Sequence, residues 1–550
     1  MVEERTLLPR PGRRMLNCWW PLLAVAIVAG GFPAEADERS LPVDHRGKRA
    51  AESVPAARCI GLAIGPGTTV IDGPLTAEGL PDYAAHLNAA LSRGISPEEN
   101  FWGAMWGVFG QDPRLPASEL AAYEQWLKVS IPVQGAFVPA SFNPSDFRRV
   151  TQAPWTADNF PKIAASIERN EEALDLVEQA ARRPLAFAPL DSAAEGPLPP
   201  SFARLTHLER IVPIVRLLTA RAMLRLEGGD ADGAWRDLMT CYRIARHVES
   251  GWRRDDLWTA WWIRDLAAEG VVQWIAHVDQ PLVELAWRFG ELRPLLHTRS
   301  AAEVLGNERL CFADLILGSA TGRVPMTTLV GLGWVDGRPR REPDASPFGQ
   351  IKAELSYFEN TVLTAEALRF HGKSVNAALD EGGRNYAELK EALSLRAHAE
   401  RRERLKTLME RLEQESERLA EPGAFWAEAL FSSSDNVARL TARRLLGRLI
   451  RNVPSLEIVQ TRSETQSRLL LVAMAIKESL AAGGPLPADW ESVAMEPAAR
   501  IDPFTGEPFR MQTTPRGVTI SSLGPNGKED FDPYQPQANI DDIRMVLWRK

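Results

Sequence analysis

The sequence predicts a mainly α-helical protein: a multi-helical body of helical hairpins, one of them tetratricopeptide-like, ending in a small C-terminal α+β hairpin cassette. Three observations carry this expectation. Apolar residues recur three or four apart through most of 69–482, which is the period of an amphipathic helix. Gly, Asp and Pro punctuate the ends of these runs, as in Gly228-Gly229-Asp230 and Gly483-Gly484-Pro485. Beyond residue 485 the period changes to two, with Phe509 and Met511, then Val518 and Ile520, alternating with polar residues on either side of a turn at Thr513 to Gly517.

A chain of 550 residues is longer than one core usually supports, so several folding units are expected. The 45% apolar and 25% charged composition belongs to the globular class. A formal charge of -8 argues against a nonspecific nucleic-acid partner, because such binding requires a surplus of Lys and Arg to release counterions from phosphate.

The first residues follow another pattern. Arg10, Arg13 and Arg14 precede an apolar run from Cys18 to Phe32, followed by Ala34-Glu35-Ala36. These are the n-region, h-region and small-residue cleavage site of an export signal. Residues 1–36 are therefore expected to be a signal peptide cut after Ala36. The alternative is an uncleaved anchor in the inner membrane through residues 16–33, since Met1 to Leu8 is long and acidic for an n-region. Residues 37–68 read as a flexible linker rich in charge, Pro and Ala. Cleavage would leave Cys59, Cys241 and Cys311, which are distant and odd in number. They suit small buried hydrophobes rather than a disulfide framework or zinc site, with one bridge among the three as the alternative in an oxidising compartment.

Residues 69–320 form the expected helical domain. Ser96-Pro97-Glu98-Glu99 has the spacing of a capping box for a helix carrying Trp102 and Trp106. Asp158 to Ala180 reads as one helix, and Leu208 to Val248 as a helix pair broken at Gly228-Gly229, with Pro213 an early kink or start. This pair resembles a single tetratricopeptide-type hairpin, but no second copy follows at that period. Trp252, Trp258, Trp261, Trp262 and Trp274 are expected on the next helix, as inter-helix packing or as the lining of a ligand groove. Residues 321–350 read as a linker and 351–482 as a helical hairpin region. In the latter, a long helix over 384–421 carries Leu389, Leu393, Leu405, Leu408, Leu412 and Leu419 toward a helix over 436–449 or a coiled-coil partner, and a last helix spans Ser463 to Ala482. Residues 483–550 are the cassette.

The cassette carries the most specific motifs: Asp502-Pro503-Phe504-Thr505-Gly506-Glu507-Pro508-Phe509, Ser522-Leu523-Gly524-Pro525-Asn526-Gly527 and Asp541-Asp542-Ile543. In this order after a helix and Gly484-Pro485-Leu486-Pro487, they resemble the C-terminal part of the type II secretion major pseudopilins. Over most of its length the chain resembles a family of large exported bacterial proteins ending in such a cassette, for which no activity is implied. The resemblance implies the bacterial envelope or periplasm as location, envelope proteins as partners, and a loop that holds calcium. Asp530, Asp532, Asp541 and Asp542 would be its ligands, a hard-oxygen set that suits this ion, and a solvated acidic loop that holds no ion is the reading their own sequence context favours. The family's loop glycines are replaced here by Phe531-Asp532-Pro533, and no prepilin peptidase site precedes the apolar run, so assembly into a pilus is not implied.

Motifs of catalysis are missing from the sequence. The eight histidines show no metal-ligand spacing, and Gly318-Ser319-Ala320-Thr321-Gly322 is not a nucleophile elbow. His86 and His207 read as capping or surface groups. The acidic pairs Glu98-Glu99, Asp255-Asp256 and Asp541-Asp542 are adjacent, so their side chains diverge, and the first two favour helix starts. No catalytic or cofactor-binding residue is assigned. The expected function is a non-enzymatic envelope scaffold or protein-interaction protein. The alternative is a periplasmic hydrolase whose site assembles in the Trp-rich helical domain.

Overall fold

The computed structural model describes residues 60–139, 143–190, 205–324, 374–420, 424–429, 431–515, 517–528 and 543–548. The export signal, most of both linkers, residues 351–373, Cys59 and the four acidic residues of the expected calcium loop lie outside the described residues. The described residues form a mainly helical structure with a small C-terminal antiparallel sheet, as the sequence predicts.

The first six helices are short: α1 (Tyr83–Leu91), α2 (Phe101–Phe109), α3 (Ala117–Leu127), α4 (Pro144–Gln152), α5 (Pro161–Arg169) and α6 (Glu171–Ala181). Ser96 and Glu99 do exchange the two bonds of a capping box, at 3.3 and 3.4 Å, but they close a turn. Helix α2 starts later because Asn100 caps it, accepting from the Trp102 N–H at 3.2 Å. The single helix expected over Asp158 to Ala180 is two helices, divided at Asn170. The Asn170 side chain accepts from the Val138 N–H at 2.7 Å and donates to the Val138 and Ser166 carbonyls at 3.1 and 2.9 Å. A tertiary partner for a side chain that competes well with helical bonding explains the break.

The expected pair forms as α7 (Thr206–Glu227) and α8 (Ala231–Glu249). Gly229 takes the left-handed φ of 80° that ends α7, and Asp230 caps α8 by accepting from the Gly233 N–H at 2.8 Å. Pro213 sits inside α7 without ending it. Buried Arg221 fixes the pair by donating to both oxygens of buried Asp237, at 2.7 and 3.1 Å, while Arg225 adds a third bond at 3.0 Å. Burial pushes the Asp237 carboxyl up to about 6 against the pull of the two guanidinium groups. It is still ionised at neutral pH.

Helices α9 (Arg254–His277), α10 (Leu282–Leu292) and α11 (Ala301–Thr321) follow. The helix expected over 384–421 is interrupted: α12 is Val375–Leu393 and α13 is His398–Ala420. Arg401 donates to the carbonyls of Leu395 and Arg396, at 3.0 and 2.8 Å, and so satisfies the backbone of the break. The leucine stripe survives the interruption, because Leu389 and Leu393 on α12 and Leu405, Leu408, Leu412 and Leu419 on α13 are all buried. Both helices pack on α15 (Ser434–Leu449), which α14 (Ala424–Ala429) precedes, so the stripe meets an intramolecular partner. The last helix, α16 (Val453–Ala481), starts well before Ser463, behind Asn452 and with Pro454 in its first turn.

The sheet adds a strand to the expected hairpin. β1 (Arg510–Thr514) pairs with β2 (Gly517–Ser522), and β2 also pairs with β3 (Ile543–Trp548), all antiparallel. Val518 and Ile520 with Ile543, Met545 and Leu547 make the buried face, which packs on α9 and α16.

Among the described residues two large apolar clusters form most of the core, and a small third one joins Leu419, Phe425, Ala429, Val437 and Leu440 where α13, α14 and α15 meet. One of the large clusters unites α2 to α10 with the C-terminal half of α16 and the sheet. The other unites α1, α11 to α13, α15 and the start of α16. Helix α9 enters both, through Leu257 and Trp261 on one side and Ile263 to Ile275 on the other, and α16 does the same through Val453 and Leu456 and then Leu469 to Ile476. Cys241 and Cys311 are buried free thiols, and burial pushes the Cys241 thiol up to about 12.

One contact in the second cluster depends on a missing side chain. A Cβ at Gly382 of α12 would lie 1.9 Å from the Phe312 ring of α11, so these helices approach only over glycine. Replacing Gly382 by Ala should therefore lower stability by about 1–3 kcal/mol despite the better helix propensity of Ala, as read from chemical unfolding.

Candidate functional site

An extended strap from Leu185 to Leu190 lies between α6 and the segment outside the described residues, and two asparagines hold it as a sheet neighbour would. Asn100 accepts from the Phe187 N–H at 2.9 Å and donates to the Phe187 carbonyl at 3.0 Å. Asn88 does the same to Leu190, at 2.7 and 3.1 Å. Arg183 at the start of the strap donates to the carbonyls of Pro97 and Asn100. A side-chain amide carries a donor and an acceptor side by side, so each asparagine pairs with a backbone N–H and C=O as a neighbouring strand would.

This strap walls a small cleft that opens to solvent. Trp102, Phe187, Leu190, Val248 and Trp252 supply apolar lining, and His207, Ser250 and Asp256 supply the polar groups. His207 is in the first turn of α7 and is only 8% exposed, so it is neither the capping nor the surface group expected from the sequence. Its ring edge meets Trp102 with centroids 4.7 Å apart, and its Nε2 faces Asp256 Oδ1 at 3.6 Å. Its Nδ1 is buried without a hydrogen-bond partner among the described residues. Asp256, 3% exposed in the first turn of α9, accepts from the Arg253 N–H at 2.9 Å, the helix-start role expected of the Asp255-Asp256 pair. Gly251 makes room for it: a Cβ there would lie 2.3 Å from the Asp256 carboxylate. Ser250 donates to the His247 carbonyl at 2.7 Å, so its hydroxyl proton is engaged away from His207.

The tryptophans of α9 divide. Trp261 and Trp274 are core, as is Trp252 in the preceding loop, whereas Trp258 and Trp262 reach partly into solvent and do not line the cavity. Helix α10 has a two-sided character. Leu285, Phe289 and Leu292 are buried, while Val283 is 80% and Trp287 67% exposed, one turn apart with Leu282 beside them. Arg288 lies beneath this face with its guanidinium 5.6 Å from the Trp287 ring and 5.5 Å from the Trp274 ring.

The motif of the cassette is a hydrogen-bonded knot. Buried Asp502 accepts from the Phe504 N–H at 3.0 Å through one oxygen and from the Ser522 hydroxyl at 2.8 Å through the other. The Gly506 N–H closes the turn on the Asp502 carbonyl at 2.8 Å, with Gly506 at a φ of 76°. The two motifs thus bond to each other. Phe504 then meets the edge of His398 on α13, with centroids 4.9 Å apart. His398 Nδ1 lies 2.8 Å from Glu457 of α16, which also receives the Arg401 Nε–H at 2.9 Å and the Thr461 hydroxyl at 2.9 Å. Burial would raise the Glu457 carboxyl, but the bonds from His398 and Arg401 outweigh it and hold the group below its usual range.

Among the described residues no group of three or more His, Cys, Asp or Glu is placed to hold a metal ion, and no helix is long and apolar enough to cross a membrane. The expected calcium ligands Asp530, Asp532, Asp541 and Asp542 and the anchor over 16–33 lie outside the described residues.

Two measurements test how this region is held. Asn100→Ala leaves the Phe187 N–H and C=O without partners and removes the α2 cap, so the chain should lose about 2–4 kcal/mol, read by chemical unfolding. Behind the cavity, His247 stacks on Phe101 with centroids 4.5 Å apart and bonds the Ala181 carbonyl through Nε2 at 3.0 Å. Burial pushes it down to about 4. The unfolded chain takes up this proton near pH 6.5 and the folded chain only near 4, so stability is full above 6.5 and falls with acid, by roughly 2 kcal/mol at pH 5. The same acid series on His247→Gln should show a shallower fall. No protein-family model, no curated protein and no solved structure matches this chain.

Proposed function

We propose that the protein is a non-enzymatic scaffold or protein-interaction component of the bacterial cell envelope, docking a partner on the outer face of α10. The observation that supports this reading is Val283 and Trp287, two large apolar side chains on one exposed helix face, with Trp287 stacked over Arg288. A rigid aromatic anchor next to an aliphatic neighbour is the chemistry of an interface centre, and its exposure in the single chain costs solvation that a partner would return. The export-signal pattern and the pseudopilin-like cassette supply the compartment and the class of partner.

The alternative reading, a periplasmic hydrolase, draws on one observation: His207 and Asp256 face each other in a cavity of the helical body. The scaffold reading is favoured because the Ser250 hydroxyl proton is committed to the His247 carbonyl.

Affinity capture from envelope extracts separates the two. The native chain should retain a set of envelope proteins that a Val283→Asp, Trp287→Asp variant of unchanged helicity loses. Identical capture by both chains, or turnover of a substrate pool by either, would overturn the proposal.

A further inference from the structure

The turn that follows β2 holds a feature that docking through α10 does not use. We propose that Asn526 is a self-modification site: in the folded chain the Gly527 nitrogen closes on the Asn526 side chain, and the asparagine becomes aspartate and isoaspartate. This inference is independent of the scaffold reading.

Three observations carry it. First, Asn526-Gly527 is the one Asn-Gly step in the sequence, and both residues are exposed. Glycine leaves the attacking nitrogen uncrowded, and even a Cβ on Gly527 would meet nothing within 4 Å, so a ring has room to form. Second, the turn is held from both sides. The Leu523 N–H donates to Asp502 at 3.3 Å and the Gly524 N–H to the Ser522 hydroxyl at 3.1 Å, while Arg402 of α13 donates to the Pro525 carbonyl at 2.5 Å. The Gly527 N–H reaches the Gly524 carbonyl at 3.3 Å and closes the turn around Asn526. The two reacting groups are therefore confined to one fixed turn. Third, Asn526 Oδ1 accepts from the Lys528 N–H at 2.6 Å. That donor polarises the carboxamide and stabilises the negative charge its oxygen takes when the carbon is attacked.

The Gly527 nitrogen bonds to Asn526 Cγ, the Cγ–Nδ2 bond breaks, and ammonia leaves with the proton of the Gly527 N–H. Water then opens the cyclic imide. Breaking the new bond gives aspartate, and breaking the original peptide bond gives isoaspartate, with an extra main-chain methylene just after the carbonyl that Arg402 grips. Either product adds one negative charge to the formal -8.

Peptide mapping of the native full chain at mildly alkaline pH should show Asn526 gaining about one dalton, with isoaspartyl methyltransferase labelling the same peptide. Conversion should be about tenfold or more faster than at Asn88 and Asn100, which are buried and bonded through both ends of the amide. Its rate should rise with pH, because the attacking nitrogen must lose its proton. Lys528→Pro keeps the Asn-Gly step but removes the N–H donor, so it should slow conversion several-fold in the folded chain and leave the rate in urea unchanged. An Asn526 that converts only after unfolding in urea would overturn the inference, as would equal rates in the folded native and Lys528→Pro chains. The comparison of native with urea-unfolded protein uses the unmodified sequence, so the test survives a variant that does not fold.

Discussion

Helices α9 and α16 belong to both apolar clusters, and the rest of the molecule depends on that sharing. A helix apolar on one stripe serves one core, but both of these are buried on several faces, Trp261 and Trp274 on α9 looking into different clusters. They also pack on each other and carry the sheet. The region near residues 254–277 is therefore joined to the last hundred residues, and the cassette rests on helices from distant parts of the chain.

Between apolar contacts the helices are fastened by buried charge. Arg221 with Asp237 joins α7 to α8, Arg264 with Glu249 joins α9 to α8 at 2.7 Å, and Arg401 with His398 and Glu457 joins α13 to α16. Such groups are poor sources of net stability, because the desolvation of each charge offsets its attraction. Their effect is selectivity of packing. Leucines tolerate sliding, whereas a carboxylate that must meet a planar guanidinium tolerates little, so each network fixes the register of two helices.

Chemical pattern and function are easily confused in such a chain. Asp502 and Ser522 share a hydrogen bond that would draw the eye in any hydrolase, yet both are consumed in holding one turn against one strand. His398 with Glu457 is likewise closed off, beneath Phe504. His207 Nδ1 and His398 Nε2 are alike in being buried without a hydrogen-bond partner among the described residues, so an unmade bond by itself does not separate a structural histidine from a functional one.

Periodicity determined the helices of the α7 to α8 pair, the leucine stripe and the switch to strands after Gly484, because these patterns repeat within a dozen residues of one another. The same local signals failed at Asn170, at Ser394 to Ala397 and before Ser463. At the first two the outcome was set by bonds to Val138 and by Arg401, and neither is visible to a local pattern. The strand at Ile543 alternates Ile543, Met545 and Leu547, but the sequence alone offered no sign that it would return to β2. The cavity was the least legible feature. His207, Asp256 and Phe187, with the asparagines Asn88 and Asn100 that hold the strap, come from elements far apart in the chain, and no spacing rule connects them. The sequence by itself determined which segments are helical, where the chain changes class and which residues must be buried, because those follow from composition and period. Only the tertiary structure decided which polar side chains are satisfied and which are left with a bond to make, because that depends on groups brought together from elements far apart in the chain.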